Sequence, residues 1–146
     1  MIGEEIVVVV DDDDRVVGAA TRCEMRARNL RHRCTSILCR NPMGDVYVHR
    51  RTESKDVYPG MYDVFFGGVV AAGESYEEGA RRELAEEAGI EGAALVHRFT
   101  APYEDDESRS ITAVYEVVWD GPIRHQESEV AWGAWIPLER AVAMLD

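Results

Sequence analysis

The 146-residue chain is short of several features that mark out particular protein classes. Its apolar runs are brief, IVVVV at residues 6–10 being typical, whereas a membrane-spanning helix needs about 20 apolar residues. A basic leader ahead of an apolar stretch is missing as well, since the chain opens MIGEE. These two absences predict a cytoplasmic protein with no membrane partner. Cysteine is scarce: Cys23, Cys34 and Cys39 are odd in number and lack the spacing of a zinc or redox pair. They predict reduced, mostly buried thiols and exclude a disulfide framework. Positive charge is scarce too, 16 Lys and Arg facing 28 Asp and Glu for a net charge of −12. Affinity for a phosphate polymer comes from many cations, so a nucleic-acid polymer is excluded as partner. A small phosphorylated ligand remains compatible where a few local cations or a bound metal reverse the field.

What is present is enough for one folded domain over residues 1–146, long enough to bury roughly two-thirds of the surface of the unfolded chain. Two β-branched runs around DDDD, residues 11–14, predict an N-terminal β-hairpin with a solvated acidic turn. TRCEMRARNL predicts a short helix capped by Thr21. CTSILCR and VYVHRR around NPMGD predict a second hairpin, and MYDVFFGGVV an apolar strand that runs out at Gly67 and Gly68. Strands in AALVHRFTA, SITAVYEVVWD and AWGAWI follow, then a helix from Pro137. This order predicts an α/β fold with a mixed sheet and helices packed on both faces.

The densest chemistry lies in GGVVAAGESYEEGARRELAEEAGI, residues 67–90. Ser75 and Glu78 form a capping box and Gly89 stands where a left-handed cap ends a helix. At about 100° per residue, Glu83, Glu86 and Glu87 share one side while Ala80, Leu84 and Ala88 form an apolar stripe. Like charges at this spacing destabilise a helix, so a hard cation such as Mg²⁺ or Mn²⁺ would neutralise them. Gly79, costly by about 1 kcal/mol inside a helix, predicts open space above the carboxylates for a ligand or a close backbone.

Gly68, Glu74, Arg82-Glu83-Leu84, Glu86-Glu87, Gly89 and Ile90 together resemble the complete signature of the Nudix hydrolases. The resemblance implies an α/β/α sandwich and binding of divalent metal by Glu83, Glu86 and Glu87, with Glu74 as a further carboxylate. It also implies that Arg82 holds a signature glutamate and that Gly68 lets a loop pass close to the metals. The implied activity is hydrolysis of a diphosphate linkage in a small substrate such as a nucleoside diphosphate derivative. The chemistry needs metal because a diphosphate repels an attacking hydroxide.

LRHR and VHRRTESKDVYPG resemble the branch of the superfamily near isopentenyl-diphosphate isomerase, which brings forward Arg51 and Lys55 as contacts to the substrate diphosphate. The isomerase activity itself is disfavoured, because its protonating cysteine would fall at Gly67 and a metal-binding histidine at Val69. His32 matches one isomerase histidine and is equally a core histidine. Nudix hydrolases often recruit a base or ligand outside the signature, and Glu127 and Glu129 are the candidates, Glu129 favoured for its place next to the strand. An alternative is a module that senses nucleotides without turnover. The exposed edges of the N-terminal hairpin leave room for a homodimer.

Overall fold

The structure, a computed structural model, describes residues 5–55, 58–125 and 130–145. The N-terminal hairpin forms as expected: β1 (Ile6–Val10) and β2 (Val16–Thr21) run antiparallel from Ile6 opposite Thr21. Thr21 then caps α1 (Arg22–Ala27), its hydroxyl accepting from the Glu24 amide at 3.1 Å. The acidic turn is not uniformly solvated. Asp14 reaches inward, where its carboxylate accepts from Arg33 Nε at 2.8 Å and from the Tyr76 hydroxyl at 2.9 Å.

The main sheet is built on two long strands, β3 (Arg31–Arg40) and β8 (Arg109–Val118), which pair in parallel from Arg31 opposite Arg109 to Arg40 opposite Val118. β7 (Val96–Glu104) lies antiparallel outside β8. β4 (Val46–Arg51) carries β5 (Tyr62–Asp63) on one edge and β9 (Val130–Ile136) on the other. The sheet is therefore mixed, as the sequence predicts. The second predicted hairpin needs correcting, because β3 and β4 share a single pairing, Arg40 with Val46. The remaining edge of β3 is occupied by β6 (Phe65–Val69), paired antiparallel from Cys34–Val69 to Leu38–Phe65. The strand predicted to stop at its glycines instead runs through them.

Alternation along β3 and β8 sorts the two faces. Ile37, Cys39, Ala113, Tyr115 and Val117 join Phe66 and the Ala80–Leu84–Ala88 stripe of α2 (Tyr76–Ala88) in the largest core cluster. The intervening residues, Cys34, Ser36, Ser110, Thr112 and Val114, face a cavity. α1 covers part of that second side through Met25, packed with Val7 and Val69. α3 (Leu138–Met144) closes a separate cluster by setting Ala141 against Val46, Val48 and Ile136. The thiols are all free, but Cys23 is exposed, against the expectation of mostly buried cysteines. No helix among the described residues is long and apolar enough to cross a membrane.

Candidate active site

α2 is held in place at both ends by its own sequence. Ser75 and Glu78 exchange both bonds of the capping box, and Gly89 closes the helix at φ 69°. This fixes the rotation of the helix, and with it the direction of its glutamates. They do not share one environment: Glu87 is buried, Glu83 half-buried and Glu86 exposed.

What the carboxylates meet is the outer edge of β6, which pairs only with β3 among the described residues. Alternate residues of an edge strand present unpaired backbone groups to the same side, and here side chains satisfy them. The Gly67 amide donates to Glu87 Oε2 at 2.7 Å, Arg82 donates to the Val69 carbonyl at 3.2 Å, and the Ala71 amide donates to Glu74 Oε1 at 3.0 Å. Arg82 sits at the centre of the cluster, donating to Glu74 at 2.8 and 3.0 Å, to Glu83 at 2.9 Å and to Glu86 at 3.3 Å.

Arg82 is shared among three of these carboxylates, Glu74, Glu83 and Glu86, so one guanidinium divides its charge over three acids. Burial pushes the Glu87 carboxyl up to about 8, and the Glu83 charge beside it adds to the effect. Burial likewise raises Glu83. Glu74 moves the opposite way, held low by its hydrogen bonds from Arg82. An all-oxygen donor set whose buried members resist ionisation on their own fits a hard divalent cation.

The acidic turn is a useful contrast. Asp11, Asp12 and Asp13 are the described residues whose ligand oxygens lie within 4.8 Å of one another. Asp11 Oδ1, however, already accepts the Asp13 and Arg15 amides at 2.9 Å each, and Asp12 and Asp13 are exposed.

Two glycines separate the carboxylates from the cavity. A Cβ on Gly68 would come within 3.0 Å of Glu83 Oε1, so its missing side chain allows the close approach, although it lies on a strand and not on a loop. At Gly67 the backbone has φ 147° and a Cβ would overlap the Thr35 carbonyl oxygen at 2.1 Å. No side chain fits there, a cysteine included, and Val69 is buried in the core under α1. The two residues an isomerase would need are thus closed off by the backbone and by packing. Gly79 corrects an expectation: its Cβ would meet Glu74 Oε1 at 3.1 Å and Val70 at 3.3 Å, so the space beside it is filled by the chain itself.

The cavity, about 530 Å³, places Arg51 and Lys55 on its wall together with Gly67 and Gly68. Both cations act on the carboxylates, each favouring the charged form of Glu87. Sequence reasoning missed several residues that line the same space. Arg22 and Arg26 reach it from α1, four positions apart and so on one side of that helix, a spacing readable in advance. Asp63, whose carboxyl is raised by burial, and Tyr58 and Tyr103 had no local signal. His32 is a buried histidine bonded through Nδ1 to the Leu30 carbonyl at 2.9 Å. Glu127 and Glu129 lie outside the described residues.

The residues that carry the resemblance thus come together, as a helix of glutamates clasped by Arg82 and set against a glycine pair beside a cavity with cations on its wall. Residues 30–146 match the NUDIX domain model. The chain belongs to the Nudix family and is a Nudix hydrolase, a family that generally uses divalent metals. It is 48% identical over 136 residues to the uncharacterised Nudix hydrolase SCO1686 of Streptomyces coelicolor, covering 92% of this chain and 75% of that one. It is 42% identical over 142 residues to YfcD of Escherichia coli, also an uncharacterised Nudix hydrolase, covering 97% of this chain and 79% of the relative. Among solved structures, DR0079 from Deinococcus radiodurans superposes with a TM-score of 0.80 at 30% identity, over 95% of this chain and 87% of that one.

Proposed function

We propose that the protein hydrolyses the diphosphate linkage of a small substrate, such as a nucleoside diphosphate derivative, with Mg²⁺ or Mn²⁺ as cofactor. The observation that carries this reading is the pair of half-buried Glu83 and buried Glu87, set against Gly68 and Gly67 beside a cavity walled by Arg51 and Lys55. Glu83, Glu86 and Glu87 would hold the metal, with Glu74 as a further carboxylate at the edge of the cluster. Bound there, a divalent cation supplies Lewis acidity and lowers the pKa of a coordinated water.

The chain's own residues do the rest. Arg51 and Lys55 neutralise the diphosphate and fix its orientation, and Gly68 lets it come close to the carboxylates. Arg82 keeps Glu74 and Glu83 in register with β6 through its fan of hydrogen bonds. Glu129 is proposed as the base outside the signature. Water adds to one phosphorus, the bridging P–O bond breaks, and the products are two phosphate-bearing fragments, or phosphate when the terminal phosphorus is attacked.

A panel of nucleoside diphosphate derivatives assayed with Mg²⁺ and Mn²⁺ tests this. Metal-dependent turnover is expected. Metal-independent activity, or Glu86→Gln and Glu87→Gln variants as fast as the parent, would overturn the mechanism.

A further inference from the structure

The two loops that frame the cavity are tied together at one carboxylate. Asp105, in the turn between β7 and β8, accepts the hydroxyl of Tyr103 at 2.6 Å and the hydroxyl of Tyr58, which lies 47 positions away on the loop after β4. Its other oxygen is spent on its own turn, accepting the Glu107 and Ser108 amides at 2.8 Å each. The Asp105 carbonyl accepts from Asn29 at 3.1 Å, which anchors the turn to the end of α1. Asp105 is therefore a fixed post, and the two tyrosines are what it holds.

Tyr58 needs holding. Its φ of 51° puts a bulky residue in the left-handed region, which such residues rarely enter and keep only where their surroundings over-determine it. Both tyrosines line the cavity, as do Phe65 on β6 and Phe99 on β7. The cavity thus offers two chemistries: cations and a glycine gap for the diphosphate, and a set of aromatic faces for whatever the diphosphate carries. An aliphatic head would be served by any apolar surface. Rings tethered through their hydroxyls, with orientation fixed, favour a flat partner that stacks.

We infer that Asp105 is a positioning residue for substrate selection, fixing Tyr58 and Tyr103 as one aromatic wall against which the planar head of the substrate, a nucleobase, stacks. The inference rests on the diphosphate reading of the site and adds which head group the cavity takes. Hydroxyl removal without ring removal isolates the tether, so the variants are Tyr58→Phe, Tyr103→Phe and the double.

Binding is read by calorimetry with Ca²⁺ present, using ADP as the flat-headed probe and inorganic pyrophosphate as the headless one. The double variant is expected to bind ADP about tenfold more weakly and pyrophosphate within about twofold of the parent, with the single variants between. In turnover the same change appears in KM and not in kcat. Equal weakening of both probes, no weakening of ADP, or a parent that binds ADP no more tightly than pyrophosphate each overturns the inference. Failure of the hydrolase reading looks different: no substrate is turned over, while the contrast between the two probes still decides the clasp.

Discussion

Two acidic clusters of similar density sit in this protein, the Asp11–Asp14 turn and the glutamates of α2 with Glu74, and they are put to different uses. In the turn, carboxylates are consumed by the fold: Asp11 caps backbone amides, and Asp14 ties the hairpin to Arg33 and to Tyr76 at the start of α2. On α2 the fold consumes part of the set, through Gly67 and Arg82, and leaves Glu87 a buried carboxyl that burial and the neighbouring Glu83 push up to about 8. Acid density is therefore a poor guide to chemistry. Burial against a glycine-lined cavity is what distinguishes the two.

The contrast breaks most easily at the largest effect. Glu83→Gln or Glu87→Gln is expected to reduce kcat on the order of a thousandfold, while Asp12→Asn and Asp13→Asn stay within about twofold; steady-state phosphate release measures both. Should the turn variants fall as far as the helix variants, the division between the clusters is wrong.

Arg82→Ala comes next. It leaves the buried carboxylates facing one another, and with Arg82 itself partly exposed we expect about 2–3 kcal/mol less stability in metal-free urea unfolding. Added Mg²⁺ should recover part of that loss. Asp14→Ala should cost about 2 kcal/mol, through two hydrogen bonds that serve only the fold. Turnover per folded molecule should stay within about twofold; a deep loss of rate would place the turn in the site.

The smallest effect sharpens the same distinction with a histidine. His49 is buried and stacked on Phe66 at 4.5 Å, its Nδ1 has no hydrogen-bond partner among the described residues, and burial pushes its pKa down to about 3. The unfolded chain, with an ordinary histidine near 6.5, binds that proton more readily. His49 therefore leaves stability intact above about pH 6.5, and stability falls as pH drops through that value toward 3. Unfolding free energies from urea titrations at pH 7.5 and 5.5 should differ by about 1.4 kcal/mol on its account. His49→Phe should flatten that difference without moving the rate.

Much of α2 was legible because its signals are local: a capping box, a glycine cap and a stripe, all between Ser75 and Gly89. The β3–β4 hairpin was misread because its partners are remote. A tight turn at NPMGD says that the chain reverses, but β6 and β8 compete for β3 and win both of its edges. Gly67 and Gly68 look like the end of a strand in sequence, and only the nearness of Thr35 and Glu83 shows why a strand would carry them. Gly79 was read as room for a ligand or a close backbone when the chain fills that room with the side chains of Glu74 and Val70. The Asp105 clasp joins residues 47 positions apart through side-chain hydroxyls, and no periodicity announces such a contact.

The outer edge of β6 carries one more consequence. A strand with unoccupied amides and carbonyls is a template on which another molecule can align and extend the sheet. Here Glu87, Arg82 and Glu74 occupy that edge at every second residue from Gly67 to Ala71. The groups proposed for chemistry therefore also guard the protein against association: loosening them exposes a sticky border in the same event that disables the site.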